Sequence, residues 1–210
     1  AMHNNTTGAQ NVALGQGALY ENETSNLNTA VGYQSMILLK GFTAANNSAF
    51  GRQAGDNITT GSNNTCIGAG ADASSSTVSN EITLGDSSVS SLRCNVQTIS
   101  SLSDARDKTD IVDIPTGLDF LNDLRPVKFK WQTRDGNGKD GSISAGFLAQ
   151  DLQKIQKDSS AEFLNLVMDN NPNRLEAREG QLIPVLVKAI QELSAKNDAL
   201  EARIKTLEGS

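Results

Sequence analysis

Along the first half of the chain, short alternating apolar clusters recur, each closed by a glycine. Asn11-Val-Ala-Leu-Gly15, Asn28-Thr-Ala-Val-Gly32, Asn47-Ser-Ala-Phe-Gly51 and Asn64-Thr-Cys-Ile-Gly68 share one pattern: asparagine, small or branched, small, large apolar, glycine. Glu81-Ile-Thr-Leu-Gly85 is a weaker fifth copy that keeps only the apolar-glycine ending. The closing glycines step by 17, 19, 17 and 17 residues, a register that a disordered linker has no reason to keep. Each copy predicts one short strand, with glycine where the backbone turns or approaches another backbone. A single copy buries very little, so the copies must stack into a solenoid with a thin continuous core. Residues between copies, such as 57–64, are turn formers and belong on the outside. So few large apolar groups per turn make a poor core for one chain, and several chains are expected to share it.

The pattern changes near residue 87. Val89, Leu92, Val96 and Ile99 place β-forming residues among serines. Apolar residues at 118, 120, 121 and 124 form a short helical stripe, ended by Arg125-Pro126. Val127–Trp131 alternates as a strand, Asp135-Gly-Asn-Gly138 is a turn signal, and Ile143–Leu148 supplies the returning strand. The turn is not a calcium loop: Lys139 sits at its fifth position, Asp140 where glycine is needed and Gly146 where glutamate is needed. A short amphipathic helix is expected over 149–155.

The last segment has a different period. Ile183, Leu186, Ile190, Leu193, Asn197, Leu200, Ile204 and Leu207 follow alternating steps of 3 and 4 without a break. Ile183, Ile190, Asn197 and Ile204 are a positions of a heptad, and the four leucines are d positions. Lys196 and Arg203 at g face Glu201 and Glu208 at the following e positions of a parallel neighbour. Pro184 lies in the first turn, where its missing N–H costs little. Packing on its own domain is the competing reading, but eight uninterrupted seam positions favour self-association. Isoleucine at a, leucine at d and one asparagine at a suit two strands, whereas the repeats call for three. The larger shared β-core is expected to decide for three.

Composition separates the two halves further. Of the 210 residues, those up to 102 hold 9 charged groups and the rest hold 33. The formal charge of −6 leaves no basic field to hold nucleic acid or anionic lipid. No run of about 18 apolar residues predicts a membrane-spanning helix, and the opening AMHNNTTGAQ does not read as a secretion signal. Cys66 and Cys94 cannot make a disulfide framework or a four-thiolate zinc site. The single histidine, His3, excludes an ordinary Ser-His-Asp triad and any multi-histidine metal site, so no metal or cofactor is expected. Cys66 falls in the slot of Ala13, Ala30 and Ala49 and is expected to be a small buried hydrophobe. Sequons at Asn5, Asn22 and Asn57 follow from an Asn/Thr-rich repeat, and Gly68-Ala-Gly70 lacks the third glycine of a nucleotide loop.

One segment carries candidate chemistry: Ser103-Asp104-Ala-Arg106-Asp-Lys108. A serine is a weak nucleophile that needs an adjacent base, and with no usable histidine a lysine is the candidate. The lysine must first lose its proton, which takes burial or nearby positive charge. Arg106 would help, while Asp104, Asp107 and Asp110 act the other way. Five residues along an ideal α-helix is about 140° of rotation, so the segment is no plain α-helix if the pair touches. Taken alone, these residues equally suit a helix N-cap at Ser103 or Asp104 and a solvated Lys108.

Two resemblances bear on these motifs. The units N-T-A-V-G-Y-Q and N-N-T-C-I-G, over about residues 8–85, resemble the head repeats of trimeric bacterial adhesins, also widespread in phage tail fibres. That resemblance implies left-handed parallel β-rolls, three chains side by side. The S-D-x-R-x-K motif, Leu124–Trp131, Gly146-Phe-Leu-Ala-Gln150 and Leu182–Leu193 resemble, in order, the C-terminal intramolecular chaperone of phage tailspikes, tail fibres and endosialidases. This second resemblance spans about residues 81–208. It implies a self-cleaving serine peptidase in a virion homotrimer, with Ser103 and Lys108 as the dyad and the cut between Leu102 and Ser103. Asp104 and Arg106 are supporting positions, and Ser144 stands where many members carry a histidine. The expected fold is thus a mainly β N-terminal half, a trimeric left-handed parallel β-roll, followed by an α+β chaperone domain ending in a parallel trimeric coiled coil. Expected boundaries are repeats over 1–86, connector strands over 87–102, chaperone and auto-peptidase over 103–181, and coiled coil over 182–210. A host-surface receptor or glycan is an expected partner. The alternative is a trimeric adhesin whose C-terminal domain is a permanent, uncleaved cap.

Overall fold

The computed structural model describes residues 1–96, 98–134 and 140–209. Two compact units divide the chain, one built on Ala1–Leu92 and one that starts at Arg93. The turn signal at 135–138 and Lys139 lie outside the described residues.

The first unit is a parallel β-solenoid of about four turns. Strands β1 (Val12–Leu14), β2 (Thr29–Val31), β3 (Ser48–Phe50), β4 (Thr65–Ile67) and β5 (Ile82–Leu84) form one sheet in sequence order. Every neighbouring pair is parallel and in register, so Ala13, Ala30, Ala49, Cys66 and Thr83 lie in one row. With three residues per strand, the middle residue points inward and its neighbours point out. Ala30, Ala49 and Cys66 are therefore buried, with Leu19, Met36, Leu39 and Ile58 filling the rest of the core. Leu14, Phe50, Ile67 and Leu84 form an exposed apolar row on the other face. Even the weak fifth copy makes its strand.

The asparagine of each copy explains the register. Asn28 Oδ1 accepts from the Asn47 backbone N–H at 3.0 Å and from Asn47 Nδ2 at 3.0 Å. Asn47 Oδ1 accepts from Asn64 in the same two ways, at 3.0 and 3.1 Å. These buried amides thus run as a ladder up the solenoid, which a hydrophobic side chain could not supply. The residue before each rung, Gln10, Leu27, Asn46, Asn63 or Asn80, has φ between 57° and 66°, the left-handed turn that aims the next amide inward. The closing glycine is steric as well as conformational. Gly32 has φ +143°, and a Cβ there would sit 2.1 Å from the Gly51 carbonyl oxygen.

At Glu81 the ladder stops. Its backbone N–H still donates to Asn64 Oδ1 at 3.1 Å, but its carboxylate turns back to accept from Ser74 N and Ser74 Oγ, each at 2.6 Å. No amide is offered to a further turn.

The second unit is α+β. Helix α1 (Leu118–Asp123) precedes an antiparallel pair, β6 (Val127–Lys130) and β7 (Ile143–Gly146), in which Phe129 faces Ser144. Helix α2 (Ala149–Asp158) follows, then a two-residue pair, β8 (Val167–Met168) with β9 (Glu176–Ala177), and the long helix α3 (Ile183–Glu208). Phe120, Leu152, Leu164, Leu166 and Val185 form its core. Among the described residues of 87–102 no strand forms, and the segment holds a turn at 87–88 and a bend at 95. A strand needs a pairing partner to bury its backbone polar groups, and the single chain offers none to this segment.

Candidate active site

Residues 103–108 fold as one tight turn. The 3₁₀ turn Ala105–Asp107 starts at Asp104, whose Oδ1 accepts from the Arg106 backbone N–H at 2.9 Å. It ends at Lys108, which returns to extended backbone (φ −128°, ψ 142°) while its N–H donates to the Ala105 carbonyl at 3.2 Å. The tighter winding and the extended exit let a lysine five residues on reach back. Lys108 Nζ donates to Ser103 Oγ and, at 3.3 Å, to the Ser103 carbonyl oxygen. Nucleophile and base candidates thus touch within one chain, without help from a neighbour. Asp104 is the N-cap, so the capping reading and the dyad reading of this motif describe the same turn.

Arg106 does not face the lysine amine. Its Nε donates to Asp104 Oδ1 at 3.0 Å and its Nη2 to Oδ2 at 2.6 Å, a fork on one carboxylate. The Arg106 side chain, and then its backbone N–H, hold the Asp104 carboxyl below the usual carboxylate range. The electrostatic role expected of Arg106 is therefore absorbed by Asp104.

All of Leu102, Ser103, Asp104, Arg106 and Lys108 are exposed, and Leu102 fully so. Ser144 lies on β7, where its Oγ accepts from Trp131 Nε1 at 3.1 Å. Among the described residues, no hydrogen bond joins it to Ser103 or Lys108. The seam residues Ile183, Leu186, Ile190, Leu193, Asn197, Leu200, Ile204 and Leu207 are all exposed on α3, while Val185 and Ala189 on another face are buried in the unit's own core. Packing on its own domain thus uses the Val185 and Ala189 face and leaves the heptad face exposed. Asn197 Nδ2 donates to Glu201 Oε1 at 2.9 Å along the helix.

Two glutamates outside the expected site hold its elements. Gly117 and Leu148 begin α1 and α2 without a capping side chain. Glu192 on α3 accepts from Leu118 N at 2.8 Å, and Glu179 accepts from Phe147 N at 3.2 Å, just ahead of α2. Glu192 thus satisfies the first N–H of α1, and Glu179 an N–H of the segment that leads into α2. A Cβ at Gly117 would lie 2.4 Å from Glu192 Oε2, so a side chain there would push the Glu192 carboxylate off its present position. The signal in the sequence was only a missing one: two helices with no capping residue of their own.

Residues 103–160 match the family model described as chaperone of endosialidase. The chain carries a chaperone-of-endosialidase domain. It follows the β-solenoid and opens at Ser103, so the contacting serine and lysine lie at its very start. The family is an autocatalytic serine peptidase domain, typical of phage tail fibres and tailspikes, and it suggests the virion as setting. The Leu182–Leu193 motif lies beyond the matched residues of the chaperone domain. No curated protein and no solved structure matches the chain. Among the described residues, no cluster of histidine, cysteine and carboxylate could hold a metal, and no helix is long and apolar enough to cross a membrane.

Proposed function

We propose that residues 103–210 bring three copies of the chain together, support folding of the β-solenoid, and then separate from it by self-cleavage between Leu102 and Ser103. The observation that carries this reading is the Ser103–Lys108 contact at the first residues of the matched domain. Ser103 Oγ attacks the Leu102 carbonyl carbon while neutral Lys108 takes the hydroxyl proton. The Leu102–Ser103 amide breaks as Lys108 returns that proton to the departing nitrogen, leaving an ester between Leu102 and Ser103 Oγ. Water then splits the ester into the Leu102 carboxylate and a chain that begins at Ser103. Because nucleophile and scissile carbonyl are neighbours in one chain, proximity supplies much of the acceleration, with effective molarities of about 10⁵ M or more in well-oriented cases.

A lysine serves as a base only when desolvated or beside positive charge, and Lys108 is exposed in the single chain. Leu102, Ile111 and Val112, close to it in sequence, are exposed apolar residues as well. Burying them between copies removes water from the lysine at the moment of assembly, so the cut follows trimerisation.

Intact-mass analysis of freshly made protein tests the reaction. The wild-type chain yields fragments of 102 and 108 residues from its 210, whereas Ser103→Ala and Lys108→Arg stay whole, since a guanidinium does not give up its proton near neutral pH. A folded wild type that remains whole for days contradicts the peptidase reading and leaves the permanent cap in its place. Ser144→His then tests whether that one position silences the site.

A further inference from the structure

We infer that Asp104 is the positioning residue of the dyad: its carboxylate opens the 3₁₀ turn and clamps Arg106, and this clamp holds Lys108 Nζ against Ser103 Oγ. The inference rests on the self-cleavage reading and gives it a cause in the local chain.

An exposed lysine has no evident reason to stay on an exposed serine. Ordering such a side chain costs up to about 2 kcal/mol of rotamer freedom, and exposed polar pairs return little of it. The backbone must therefore arrive already folded. Hydrophobic packing does not fold it, because Ala105–Asp107 buries no residue. What closes the turn is a set of hydrogen bonds centred on Asp104. Its backbone carbonyl accepts from Asp107 N at 3.2 Å, its Oδ1 from Arg106 N and Nε, and its Oδ2 from Arg106 Nη2. One carboxylate thus satisfies a free N–H of the first turn and pins the side chain that leaves the same residue.

The fork changes the meaning of Arg106. A free guanidinium beside Lys108 would favour the neutral amine by repulsion. Here both carboxylate oxygens of Asp104 engage it, so its charge is matched one residue from the nucleophile. Arg106 acts as the brace of the cap. This reading separates the two functions of Asp104: an N-cap needs only an acceptor oxygen, which asparagine retains, while the fork needs a carboxylate and a guanidinium.

The test uses the full-length chain and follows cleavage with time by intact mass, alongside hydrogen exchange at the Arg106 and Asp107 amides. Asp104→Ala is expected to cut about tenfold more slowly or worse, the scale of a lost cap, with faster exchange at Arg106 and the particle mass unchanged. Asp104→Asn and Arg106→Gln, which both keep the cap oxygen and lose the fork, are expected to fall alike between Asp104→Ala and the wild type in rate and protection. Asp104→Ala cutting at the wild-type rate overturns the inference, as does an Asn variant no better than Ala. If the wild type itself does not cut, the self-cleavage reading fails, and exchange alone decides the clamp. An Arg106 amide protected in the wild type and fast in Asp104→Ala upholds it, and equal exchange in both overturns it.

Discussion

Asp72 shows how far a single residue departs from the repeat that surrounds it. Four residues after each closing glycine the chain has Leu19, Met36, Gly55 and Asp72, and the first two are wholly buried. A half-buried carboxyl thus stands where the first two turns place a core side chain. Burial first, and the charge of neighbouring Asp56 next, push its pKa up to about 6 from 3.8. Asp56 is raised as well, chiefly by burial, while its hydrogen bond with Asp72 and the nearby Arg52 charge pull it back. Between about pH 4 and about pH 6 the folded Asp72 thus binds more protons than the unfolded side chain, so stability falls as pH rises through that window. Asp72→Asn is expected to raise the melting temperature of the solenoid at pH 7.5 by a few degrees and to flatten its pH dependence over that window. Thermal melts of both chains across pH check this, and an unchanged pH dependence contradicts it. Cys66 was legible at this scale because three alanines mark its slot, and its thiol, buried and then flanked by Asp72 and Glu81, is pushed up to about 11. The Ser103–Lys108 pair was legible from the motif and from the exclusion of a plain α-helix. The Asp104–Arg106 fork was not, because spacing alone does not say which neighbour a guanidinium chooses. Glu192 was not either, since it caps a helix 74 residues away.

Among the elements, the solenoid was the most legible because each turn repeats the same demand: an amide to continue the ladder, a small inward residue and a glycine. The ladder also predicts where the element is most fragile. Asn47 is 1 % exposed. Its side chain contacts Asn28 and Asn64 and also donates to the Gly61 carbonyl at 2.9 Å. Asn47→Ala leaves several of these groups buried without partners, at about 1–3 kcal/mol each, so the solenoid is expected to lose about 3 kcal/mol or more. Denaturant unfolding followed on the Ser103→Ala chain measures it, and a loss within the range of an ordinary surface substitution contradicts the ladder's role. Helix α1 agrees closely with its stripe, while α2 runs to Asp158, beyond the expected Ile155, because polar residues extend it past its apolar face. Strands β8 and β9 were missed, since two residues carry no period. In the connector, Val89, Leu92, Val96 and Ile99 state a β preference that only pairing with another strand can satisfy.

At the scale of the whole molecule, the exposed apolar surface is arranged in rows. Leu14, Phe50, Ile67 and Leu84 line the outer face of the solenoid sheet. Leu92, Val96, Ile99 and Leu102 follow along the unpaired connector, and the seam of α3 stays exposed although its other face is buried. Exposed apolar rows of this kind mark association sites. The proposed symmetric trimer would cover these rows with the same rows of sister chains, and the opposed charges at Lys196, Arg203, Glu201 and Glu208 fit its parallel seam. In the proposed trimer the connector, the exposed lysine and the open seam would each be finished by the other copies. Light scattering on the Ser103→Ala chain, where no cut removes the seam, tests this most directly. The account predicts a particle of three times the 22.2 kDa chain mass over a wide range of concentration. A folded particle of one or two chains would contradict it.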